Sequence, residues 1–125
     1  MRLDNQLQFS DAQAVTSAAG STNTLDLSAV RDIGTGKTLY VVVGIVTALT
    51  DGGSNTGVTV ALEGDSTTTF TPDGTVTLFT IAKNAAAGTN YFAALDPGMA
   101  PLAYQYIRLK YTPTGADLTG GTIDA

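Results

Sequence analysis

Tyr104-Gln105-Tyr106-Ile107-Arg108-Leu109-Lys110-Tyr111-Thr112 carries the clearest alternation in this chain. Successive side chains of a strand point to opposite faces. Ile107, Leu109 and Tyr111 therefore share one face, and Tyr106, Arg108 and Lys110 share the other. Aromatic and β-branched residues suit a pleated, half-buried surface. Turn residues close the stretch on both sides, Pro97-Gly98 before it and Pro113 and Gly115 after it. A strand of this kind needs a second sheet to cover its apolar face. Two of the chain's six cations lie on the outward face of this one strand.

The rest of the chain can supply that second sheet. Leu39 to Val46 reads Leu-Tyr-Val-Val-Val-Gly-Ile-Val, nearly all apolar. Such a run predicts a strand buried on both faces, or one whose second face meets a partner. Asp51-Gly52-Gly53-Ser54-Asn55 is the strongest turn, and it leads into a strand with Val58, Val60 and Leu62 on one face. A Thr-rich excursion from Glu63 to Gly74 precedes a strand over 75–81. There, simple alternation sets Val76, Leu78 and Thr80 against Thr77, Phe79 and Ile81. Tyr91 to Leu95 predicts a short strand, and Thr119 to Ala125 one that stops almost at once. Earlier in the chain, Thr22 to Leu27 alternates with Leu25 and Leu27 inward, and Arg31 to Gly36 reads as a loop. Residues 1–11, with Leu3, Leu7 and Phe9, predict an extended arm or edge strand. Seven or eight short strands separated by regular turns predict an all-β fold, a jelly-roll-like two-sheet β-sandwich in a single domain over 1–125.

Composition narrows the function. The 125 residues hold no cysteine and no histidine, which removes disulfides, thiolate chemistry and the commonest general base and transition-metal ligand. A net charge of −5 opposes a phosphate backbone, so no nucleic-acid partner is expected. No apolar run reaches the ~20 residues of a membrane helix, and no membrane partner is expected. The N-terminus lacks the apolar core of a signal peptide, which places synthesis in the cytoplasm.

Gly36-Lys37-Thr38 ends like a phosphate-binding loop, but Arg31 stands where that loop needs its first glycine, and a strand follows instead of a helix. Asp51, Asn55, Glu63 and Asp65 lack the spacing of an acidic calcium loop, and turns favour such residues for backbone reasons. No metal site, cofactor or catalytic residue is therefore predicted. The candidate partner-binding residues are Tyr104, Tyr106, Arg108 and Lys110, because an outward Tyr-Arg pair has the composition of an interaction patch. The Asp96 to Pro101 loop, with Pro97 and Met99, is a second candidate contact.

Several separated blocks resemble one family. Asp4-Asn5-Gln6-Leu7, Phe9-Ser10-Asp11-Ala12-Gln13-Ala14, Ser21-Thr22-Asn23-Thr24-Leu25-Asp26-Leu27, Arg31-Asp32-Ile33-Gly34 and Tyr106-Ile107-Arg108-Leu109-Lys110-Tyr111 look like the capsid cement proteins of tailed bacteriophages, of the type found on Bordetella-type short-tailed phages. That resemblance implies a jelly roll and a non-enzymatic decoration protein on the outer surface of the virion, assembled in the host cytoplasm. It also implies the major capsid protein as partner, and a homodimer or other homo-oligomer near two-fold positions. It supplies no residue-level motif. Members of that family continue past the position of Ile123 with a further strand and tail, so the resemblance leaves the closing strand and any tail contact open here. Two other readings fit the residues: a carbohydrate-binding or adhesin-like module, and a glycan-cleaving enzyme with a carboxylate pair.

Overall fold

Alternating apolar side chains build two antiparallel sheets over residues 7–28 and 38–125, which the computed structural model describes. The strands are β1 (Gln13–Ala14), β2 (Ala19–Gly20), β3 (Leu25–Asp26), β4 (Leu39–Asp51), β5 (Gly57–Asp65), β6 (Gly74–Ile81), β7 (Asn90–Leu95), β8 (Tyr106–Thr114) and β9 (Leu118–Asp124). One turn of 3₁₀ helix, Ala100–Ala103, lies between β7 and β8. The first sheet has the order β1-β9-β4-β7. The second has the order β2-β8-β5-β6, with β3 also paired to β8. From β4 onward only the β5–β6 hairpin stays within one sheet. Every other step crosses to the opposite sheet, the path of a jelly-roll-like sandwich.

The register of β8 follows the alternation. Ile107, Leu109 and Tyr111 are buried, while Tyr106, Arg108 and Lys110 are partly exposed. They meet Val58, Val60 and Leu62 of β5 and, from the first sheet, Val41, Val43, Ile45 and Ile123 in one core. The strand begins two residues later than the alternation predicts and runs through Pro113 to Thr114. Proline is tolerated there because β2 and β3 pair only with the earlier part of β8, leaving the far side of Pro113 unpaired among the described residues.

Two further expectations are corrected, and one of two alternatives for the N-terminal arm falls away. The last strand does not stop almost at once: β9 spans seven residues and lies between β1 and β4. Its glycines hid it from propensity. Gly121 adopts φ 133°, and a Cβ there would run into Leu49, so the strand needs glycine where Leu49 crosses it. In β6 a register shift sets Phe79 opposite Val60 and Thr77 opposite Ala61, so Leu78 is an extra residue and the simple alternation breaks. Val76, Phe79 and Ile81 therefore lie opposite the inward positions of β5. Finally, the described part of the N-terminal arm, residues 7–11, forms no strand. Phe9 and Ser10 are buried and both donate their N–H to the Ala125 carbonyl, at 2.7 and 3.0 Å. The predicted loop over 31–36 and the Gly36-Lys37 pair lie outside the described residues.

Tyr111 is the largest fully buried side chain, and its hydroxyl meets Ser10 Oγ at 2.7 Å. Ser10 Oγ is also 2.7 Å from Gln13 Oε1, so the bridge fixes the N-terminal segment across the end of the sandwich. Ser10→Ala leaves a buried phenol unpaired and should cost about 1–3 kcal/mol, whereas Tyr111→Phe should cost about 1 kcal/mol. Burial also pushes the Tyr111 phenol up, against the opposing pull of Ser10. Above about pH 10 the unfolded chain loses that proton while the folded chain keeps it, so stability falls with rising pH. Urea midpoints at pH 9 and 11 should show this drop, and Tyr111→Phe should flatten it.

Candidate interaction surface

Each sheet turns one face outward, and the two outer faces differ in chemistry. On the second sheet, the pairs Glu63↔Arg108, Asp65↔Tyr106 and Ala61↔Lys110 bring the outward residues of β5 and β8 together. Arg108 Nε donates to Glu63 Oε2 at 2.7 Å, and the Glu63 side chain is almost wholly covered. The guanidinium also lies 4.2 Å from the centroid of the Phe70 ring. Gly20 makes room for it, since a Cβ there would sit 3.0 Å from the guanidinium carbon. Arg108 is thus held on three sides within its own chain. Asp65 is buried beside it. Its Oδ1 accepts from the Thr67 N–H at 2.7 Å, and its Oδ2 has no partner among the described residues.

The structure does not gather the predicted partner-binding residues into one patch. Tyr106, Arg108 and Lys110 share the outer face of the second sheet, but Arg108 is committed to Glu63 and Phe70. Tyr104 donates its hydroxyl to the Asp73 carbonyl at 3.4 Å. Pro97 is exposed after β7, whereas Met99 packs against the core and its carbonyl accepts from Leu102.

On the first sheet the outer face is apolar. Val42 lies directly opposite Phe92, and Tyr40 opposite Ala94. Tyr40 is 62% exposed and Phe92 65%, and Val46 is exposed as well. Two large aromatic side chains left that open on a sheet form an exposed apolar patch. The unbroken apolar run from Leu39 to Val46 was the signal: its inward set fills the core, and its outward set has nothing to pack against among the described residues. Phe92 carried no such signal, because Tyr91 to Leu95 reads only as a short strand.

An open apolar cavity of about 180 Å³ lies between the sheets at one end, lined by residues that include Phe9, Leu25, Leu27, Leu39, Leu95 and Leu102. Aliphatic walls offer little to orient a polar substrate. No helix is long and apolar enough to cross a membrane, and no cluster of three metal-ligating side chains occurs among the described residues.

Residues 9–125 match the Bbp16 family model, so the chain belongs to the Bbp16 family, whose name points to a protein of a Bordetella phage. No curated protein matches the chain.

The Arg108 environment gives a sharp expectation. Arg108→Ala strands a covered carboxylate and should cost roughly 3 kcal/mol. Arg108→Glu should cost more, because it sets two carboxylates side by side. Glu63→Leu combined with Arg108→Met should recover most of the loss, which denaturant unfolding of the four proteins would show.

Proposed function

We propose that this Bbp16-family chain is a structural virion protein, a cement or decoration protein that binds the outer capsid surface and clamps subunits of the major capsid protein. The observation that carries this reading is the exposed apolar face of β4 and β7 on a two-sheet sandwich, in a chain of a family named for a Bordetella phage. A clamp needs a rigid body and an adhesive surface, and it needs no reacting group. The protein acts by binding and not by catalysis, without cofactor, metal or nucleic acid.

The energetic logic is mass action. A protein that binds the assembled shell and not its dissociated subunits stabilises the shell in proportion to the logarithm of its free concentration over Kd. Pairing into a homodimer strengthens such a clamp, because the second contact forms at the effective concentration set by the first. Sedimentation at micromolar protein tests the pairing: a mass twice 12.8 kDa supports a free dimer, and a mass of 12.8 kDa contradicts it.

A carbohydrate-stacking surface is the second reading, since Tyr40 and Phe92 share one face. Sugar recognition, however, requires polar side chains beside the rings to hold the hydroxyls. Here the side chains directly across the ladder are Val42 and Ala94, with the polar Asn90 and Asp124 only at the border of the face, so protein is the better fit. For a carboxylate pair, the covered Glu63 is already bound to Arg108.

Shells of the cognate major capsid protein, assembled without this chain, should bind it on mixing and co-sediment with it. The decorated shells should then survive higher temperature and stronger osmotic shock than bare ones. Equal survival of the two, or failure to co-sediment, would refute the cement reading.

A further inference from the structure

Strand β7 is the last strand of its sheet, paired only with β4 among the described residues. Thr89 accepts a hydrogen bond from the Ile45 N–H at 2.8 Å. Antiparallel ladders alternate every two residues, so Tyr91, Ala93 and Leu95 also direct their backbone groups at β4. The N–H and C=O groups of Asn90, Phe92 and Ala94 then point away from it, along an open edge. Natural edges are blunted by lysine, proline, bulges or extreme shortness. Strands β1, β2 and β3 are two residues long, and the pairing of β6 carries a register shift. By contrast β7 runs six residues, Asn-Tyr-Phe-Ala-Ala-Leu, with an unbroken register and without charge or proline. Its exposed Phe92 and Ala94 stand on the apolar outer face that continues onto Tyr40 and Val42.

Resting on the cement reading, we propose that β7 is the docking strand: an extended apolar segment of the capsid subunit, flanked by basic residues, adds to its edge and lays side chains over Phe92 and Tyr40. Charge favours a basic partner over a second copy of this chain. The whole chain carries −5, and Asp96 stands exposed at the end of β7 while Asp124 borders the face on β9. The described cations are engaged or placed elsewhere: Lys83 with Asp51 at 3.4 Å, Arg108 with Glu63, and Lys110 on the other sheet. Size agrees. The outer face of β4 and β7 along the six-residue ladder measures roughly 20 by 10 Å. That is about a quarter of the ~800 Å² each partner contributes to a free-standing complex. An area this small suits one contact among several on a large shell, where strand hydrogen bonds supply affinity and side-chain pockets supply selectivity.

Ala94→Pro removes an edge N–H that the fold does not use, and Phe92→Ser removes the outward ring. Both should unfold at the wild-type urea midpoint yet bind cognate shells about tenfold or more weakly. In the unaltered protein, amide exchange over 90–95 should slow when shells are added, a readout that needs no variant to fold. Wild-type binding by both variants, or unchanged exchange over 90–95, overturns the docking strand while leaving the capsid reading in place. Failure of the unaltered protein to bind shells overturns both. A dimer that Ala94→Pro splits into monomers would assign the edge to a second copy and refute the capsid segment.

Discussion

The hydroxyl of Tyr111 has to find a partner inside the sandwich, and the way it does so ties the ends of the chain together. A phenol buried in the centre of the second sheet cannot reach water, so Ser10 is drawn in to meet it. Ser10 and Phe9 in turn bond the carbonyl of Ala125, the residue after β9, and the Ala125 N–H returns to Ser10. One polar atom in the core thus fixes where the N-terminal segment lies and sets β9 into the middle of the first sheet. With β9 there, β4 is sandwiched and β7 becomes the outer strand.

That placement explains the unequal outer faces. The second sheet pairs its central charges: Glu63 and Arg108 satisfy each other, Phe70 covers the guanidinium, and Asp65 turns one carboxylate oxygen onto the following turn. A charge pair of this kind specifies geometry more than it adds stability. The first sheet makes no such internal arrangement. Its outward residues on β4 and β7 include valine, alanine, tyrosine and phenylalanine, and the rings of Tyr40 and Phe92 stay exposed.

The fold was largely legible because the inward faces obey period two. Val58, Val60 and Leu62, and Ile107, Leu109 and Tyr111, could be assigned to the core from spacing alone. What failed to show was governed by tertiary context. The glycines of β9 read as a broken strand, yet Gly121 is there to let Leu49 pass and Gly120 lies against Thr50. The extra residue of β6 reads as ordinary alternation, because a bulge leaves no local mark. The interaction surface was half legible. The doubly apolar run over 39–46 left open a strand buried on both faces or one whose second face meets a partner, and sequence cannot say that Phe92 lies beside it, since that follows from the pairing of strands about fifty residues apart. The ion pair of β8 was not legible for the same reason: nothing local reveals that Glu63 waits opposite Arg108.

Hydroxyl-radical footprinting of the protein, free and bound to shells of the cognate major capsid protein, tests the account most directly. Aromatic rings report their own exposure, and the two outer faces carry different ones. Protection of Tyr40 and Phe92 on binding, with Tyr106 still as reactive as in the free protein, is the expected pattern. Protection of Tyr106 with Tyr40 and Phe92 left open would contradict it and move the contact to the opposite sheet.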